Sequence, residues 1–127
     1  MRSLLRSVIH NATVTAVDDA PPVSLRVDPY LMRAAELLPC EEVEVVNVAT
    51  GERFRTWIEA AEEGSGDVRL HAGTRTPVRK GDRVSIFAFG ILHDGQTLDH
   101  RARVVMLDDA NRVVEAGERR GSITIDG

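Results

Sequence analysis

Val23-Ser24-Leu25-Arg26-Val27-Asp28-Pro29-Tyr30-Leu31 changes its period part-way along, and that change decides how the chain is read. Through Val27, apolar and polar residues alternate as they do in a strand with one buried face. Asp28 then offers a side chain suited to capping a helix, and Pro29 suits the first helical position, where no backbone N–H is needed. Leu31, Ala34, Ala35 and Leu38 follow at i, i+3, i+4 and i+7. The spacing predicts a helix over 28–38 with one apolar face, stopped by Pro39.

Outward from this segment the pattern is strand-like on both sides. Upstream, Leu4 to Thr15 is β-prone, and Asp18-Asp19-Ala20-Pro21-Pro22 interrupts it, because consecutive prolines cannot join a central ladder. Downstream, Val43, Val45, Val46 and Val48 lie in one strand. Thr50-Gly51-Glu52 reads as a hairpin turn and Arg53 to Ala60 as its return. Gly64-Ser65-Gly66 is a tight turn. Val68 to His71 is a short strand running into the small-residue loop Ala72-Gly73-Thr74. Val84, Ile86 and Ala88 share a face of another strand, and Arg103 to Leu107 form one more. Seven or so short strands with one good helix predict a mainly-β domain built on a barrel. That domain is expected over 1–114. The polar stretch over 115–127 is expected to be a flexible C-terminal tail.

The composition narrows the function classes. The chain has 127 residues, 43% of them hydrophobic and 28% charged, which suits one soluble domain with a real core. Aromatics make up only 4%, and every basic residue but Lys80 is an arginine. The net charge of −4, with basic residues scattered, argues against a nucleic-acid partner. Cys40 is the only cysteine, so neither an internal disulfide nor a thiolate metal site is expected, and no metal is assigned. No stretch approaches the ~20 apolar residues of a membrane span. The N-terminus lacks the apolar run of a signal peptide, so a cytoplasmic protein with no membrane partner is expected.

Several segments, in order, carry a resemblance. They are Met1 to Thr15, Val23 to Asp28, Leu31 to Leu38, Asn47, Gly51 to Thr56, Glu63-Gly64-Ser65-Gly66 and Gly81-Asp82-Arg83-Val84. The ordered set resembles the aspartate 1-decarboxylase family, small pyruvoyl-dependent enzymes that make β-alanine. The resemblance implies a double-psi β-barrel, a homotetramer, and active sites between neighbouring subunits. It implies that Ser24 attacks the carbonyl before it, that the chain is cut there, and that a pyruvoyl group is left at the new N-terminus. That ketone takes up the electrons released as carbon dioxide leaves. It further implies that Thr56 assists cleavage, that Arg53 binds a substrate carboxylate with its bidentate fork, and that His10 lines the pocket.

Five positions depart from the pattern. Val23 stands where the family has glycine before the serine, and a β-branched residue crowds the carbonyl. If the cleavage geometry costs valine ~1–3 kcal/mol more, the rate falls by about one to two powers of ten. Pro21 replaces a tyrosine, and Val8 replaces a lysine. Trp57 replaces the tyrosine that reprotonates the product, and an indole N–H does not give up its proton at neutral pH. His71 replaces an asparagine, followed by Ala72 and Gly73 in the pocket loop. These changes lead to the expectation of an unprocessed enzyme on the decarboxylase scaffold, of isomerase, cyclase or dehydratase type. His10 and His71 would divide acid and base roles. Arg53, Trp57, Ala72 and Gly73 would bind a small carboxylate or carbonyl substrate, and Ser24 and Thr56 would remain in the catalytic pocket. On that reading no cofactor is needed; a pyruvoyl group arises from Ser24 only if the chain cuts itself. The alternatives are a pyruvoyl-dependent decarboxylase cleaving at Val23–Ser24, and an inactive structural or regulatory paralogue.

Overall fold

The computed structural model describes residues 1–19, 23–72, 76–93, 95 and 100–120. Within them the chain is mainly β with one short helix, as expected. The strands are β1 (Arg2–Thr13), β2 (Ala16–Asp18), β3 (Ser24–Val27), β4 (Glu42–Asn47), β5 (Arg53–Ala60), β6 (Val68–His71), β7 (Arg83–Leu92), β8 (Arg101–Leu107) and β9 (Val113–Arg120). The helix, α1, spans Pro29–Ala34. The strands lie in the order β2-β6-β3-β5-β4-β7-β1-β8-β9. The pairs β1–β8, β2–β6 and β3–β5 are parallel, so strands distant in sequence are interleaved. An up-and-down meander has no such pairs.

The core explains the scarcity of aromatic residues. Ile9, Val14, Leu25, Val27, Leu31, Ile58, Leu70, Val84, Ile86 and Val105 are all buried in one aliphatic cluster. Each such side chain contributes about 1.5–3 kcal/mol on removal from water. The hairpin between β4 and β5 forms as expected, with Gly51 at φ +76° in the turn, a conformation that favours glycine.

Three expectations need correction. The helix ends at Ala34 rather than residue 38, because Glu36 adopts φ +57° and reverses the chain. Leu37 therefore enters the core, and Leu38 is 69% exposed instead of completing the apolar face. β2 (Ala16–Asp18) lies beyond the strand read over Leu4 to Thr15 and takes in Asp18, the first residue of the segment read as a breaker. The polar stretch after Val114 is not all tail: residues up to Arg120 form β9, paired antiparallel with β8. Residues 121–127 lie outside the described residues. No described helix is long and apolar enough to cross a membrane.

Irregularities in β1 position the site. The register against β7 shifts between Ile9 and Ala12, where Asn11 adopts φ +66°. The extra residue lets both Ile9 and Ala12 reach the core while His10 and Asn11 turn to a surface cleft. Bulges of this kind re-aim side chains beside functional sites.

Candidate active site

The residues proposed from the sequence fall into two groups. The first lies on β2, β6, β3 and β5. Ser24 opens β3 and is 3% exposed. Its partner across the antiparallel pair with β6 is His71. On His71's other side, β2 pairs in parallel and sets Asp18 opposite it. His71 Nε2 lies 3.3 Å from Asp18 Oδ2, and Arg69 Nε lies 3.8 Å from the same oxygen.

Thr56 reaches this group through β5. Leu25 pairs with Ile58, so counting two residues back along both parallel strands reaches Val23 and Thr56. Thr56 is buried, and its Oγ1 has no hydrogen-bond partner. Buried hydroxyls are nearly always bonded, so this atom calls for an explanation. Trp57, the next residue, is 54% exposed. Ala72 is packed into the core, and its N–H is donated to the Asp18 carbonyl at 2.9 Å. Neither its side chain nor its N–H is open to a ligand. Gly73 lies outside the described residues.

The second group lies on the outer face of β1, β4, β5 and β7. His10 Nδ1 is 3.1 Å from Ser85 Oγ, and its ring meets Phe87 edge-on at 6.1 Å between centroids. Arg53 Nη1 donates to Glu44 Oε1 at 3.1 Å. Arg53, Glu44, Leu5, Val46, Phe87 and Phe89 line a cleft of about 270 Å³. Phe87 thus touches both the His10 ring and the Arg53 cleft. Val8, in the place of the family lysine, is buried and pairs with Phe87 and Val104. No side-chain hydrogen bond or ion pair among the described residues joins the two groups.

Two partners in these groups escape a reading of the sequence. Asp18 sits in a three-residue strand, too short to show alternation, and it meets His71 only through strand pairing. Ser85 occupies one polar position of an alternating strand and is indistinguishable there from a solvated serine. His100 is partly buried, with Nε2 at 2.5 Å from the Leu5 carbonyl oxygen.

A buried carboxylate fixes the frame beside β3. Asp28 accepts the N–H groups of Tyr30, Gly64 and Gly66 at 2.9, 3.1 and 2.9 Å. Burial raises its pKa, but the bonds from Gly66, Tyr30 and Gly64, with Arg33 nearby, outweigh it and hold the carboxyl below the usual range.

A family model described as aspartate decarboxylase matches residues 1–114. The chain belongs to the aspartate decarboxylase family. It is 39% identical to the aspartate 1-decarboxylase of Pelotomaculum thermopropionicum, over 94% of this chain and 92% of that protein. The aspartate 1-decarboxylases of Caldicellulosiruptor bescii and Heliobacterium modesticaldum are each 36% identical. The former match covers 91% of both chains, and the latter 93% of this chain and 89% of that protein. Among solved structures, the computationally designed msDPBB_sym2 protein is similar at a TM-score of 0.43 and 22% identity, over 67% of this chain and 96% of that one. Aspartate decarboxylases are lyases that use a pyruvoyl group formed by self-cleavage.

These matches overturn the expectation of an unprocessed isomerase, cyclase or dehydratase. The aspartate decarboxylase frame runs nearly end to end through the changed positions. Val8 illustrates the physical reason: it is accommodated as a buried packing residue in a retained strand, so a changed side chain need not mean a changed reaction.

Proposed function

We propose that this aspartate decarboxylase cuts itself between Val23 and Ser24 and then decarboxylates L-aspartate to β-alanine. The observation that carries this reading is kinship over more than nine-tenths of the chain with proteins named for that activity. The residues at the cut fit the required group. Ser24 is buried where a reactive group is shielded from water, and the orphaned Thr56 hydroxyl lies on β5, the strand paired in parallel with β3. A hydrogen bond from Thr56 Oγ1 to the Val23 carbonyl during attack gives that hydroxyl its missing partner.

The pyruvoyl group supplies a ketone that accepts the electrons released with carbon dioxide. The other steps belong to side chains of the chain. Arg53 exchanges Glu44 for a substrate carboxylate, which its planar fork binds in two places. Ser85 holds His10 at Nδ1, leaving Nε2 for the substrate. Trp57 cannot return a proton to the product carbon at neutral pH. His10 takes that role from Nε2.

The working unit is a homotetramer with sites between subunits. The Ser24 group and the His10–Arg53 group share no side-chain hydrogen bond or ion pair among the described residues, and a neighbouring copy brings them together. Val48, Phe89 and Ile91 on the outer face are about half exposed or more, an apolar surface suited to such a neighbour. The test is direct. The purified chain, resolved by intact mass and supplied with L-aspartate, should show fragments 1–23 and 24–127 and release β-alanine. A single uncut species that releases none would refute the proposal.

A further inference from the structure

Asp18, His71 and Ser24 stand in one row across three neighbouring strands, β2, β6 and β3. Partners directly opposite in an antiparallel pair carry Cβ atoms about 4.5–5.5 Å apart on one face. His71 therefore stands between Asp18 and Ser24 in this row. Nε2 is engaged by Asp18 at 3.3 Å, which leaves Nδ1 as the nitrogen for Ser24. A carboxylate that orients an imidazole, which in turn activates a serine, is a recurring way to make a hydroxyl nucleophilic.

We propose that His71, oriented by Asp18, is the general base that activates Ser24 in self-cleavage. This rests on the self-cleaving reading above. In the step, Ser24 Oγ forms a bond to the Val23 carbonyl carbon, and the C–N bond between Val23 and Ser24 breaks. The hydroxyl proton passes to His71 and then to the departing amine nitrogen of Ser24, so the ester forms with nothing consumed. The asparagine that the resemblance places at this position cannot carry a proton at neutral pH. The base is thus a gain at the point where Val23 makes attack harder. The charged group beside the Asp18–His71 pair is Arg69, which shares the Asp18 oxygen.

Cell-free synthesis followed by intact mass against time tests this without needing a purified precursor. The wild-type chain should split into 1–23 and 24–127, faster as rising pH frees the base of its proton. His71→Asn should slow the split by about 10²–10⁴-fold, the usual worth of a general base, and abolish that pH dependence. Asp18→Asn should slow it in the same direction. Added imidazole should speed cleavage of His71→Ala, which a merely structural histidine would not allow. Wild-type rates in both His71 variants, or slow variants with no rescue and an unchanged pH profile, overturn the proposal and leave the decarboxylase reading standing. A wild-type chain that never splits overturns both.

Discussion

Thr56→Val separates what the Thr56 hydroxyl costs the fold from what it does in the reaction. The two side chains have the same shape, so the exchange removes Oγ1 and little else. That atom is buried without a partner, and the residue is 5% exposed. An unbonded buried hydroxyl costs about 1–3 kcal/mol in protein interiors. Replacing it with a methyl group should therefore stabilise the uncut chain by about 1–2 kcal/mol, a rise of roughly 4–8 °C in Tm. Cleavage should meanwhile slow by about 10²-fold or more, as when one donor to a developing oxyanion is lost. The stability comparison belongs in a Ser24→Ala background, so that neither chain is cut. Differential scanning calorimetry at one protein concentration keeps assembly from shifting the midpoint. A fall in Tm of several degrees would mean that the hydroxyl is bonded in the uncut chain. Unaltered cleavage would remove Thr56 from the reaction. Either result refutes the reasoning.

Val23→Gly should speed cleavage by about one to two powers of ten, as the ~1–3 kcal/mol cost of the crowded geometry is relieved; fragment appearance by mass spectrometry measures it. Arg53→Ala should raise KM for aspartate about tenfold to a hundredfold, the loss of a charge-assisted hydrogen bond worth about 1.5–3 kcal/mol; steady-state β-alanine release reads it. Asp28→Ala should destabilise the chain by about 3 kcal/mol, since three N–H groups lose their acceptor. Because the Asp28 pKa is lowered on folding, its contribution is present above the unfolded carboxylate value and lost as pH falls through the folded one. Urea denaturation at neutral and acidic pH should show the gap between wild type and variant closing toward acid.

The parts legible in the sequence are those governed by local pattern. Alternation marks β5 and β7, and Asp28 with Pro29 marks the start of α1. The helix end is different: nothing in Glu36 announces a left-handed turn, and the reversal is set by Leu37 finding the core. β9 is mostly polar beyond Val113 and Val114 and is held by pairing with β8, so it carries no sustained hydrophobic period to read. In the site, Ser24, Thr56, His10 and Arg53 are reachable from the resemblance. Asp18 is not, because its meeting with His71 depends on the register of β2 against β6, a contact across more than fifty residues of chain. Val8, Trp57 and Pro21 are legible in the sequence as chemistry lost from a pocket, and Pro21 lies outside the described residues. Val8 is absorbed by packing, and His71 acquires a carboxylate partner that the family asparagine's place alone does not reveal.

The central claim is that Ser24 becomes the reactive group of this enzyme. Intact mass spectrometry of the freshly purified wild-type chain, before and after prolonged warm incubation, tests it most directly. The account predicts two fragments divided at Val23–Ser24, the larger bearing a ketone that reacts with hydrazine. A single species at the full 13.9 kDa, unaltered by incubation and inert to hydrazine, would contradict it.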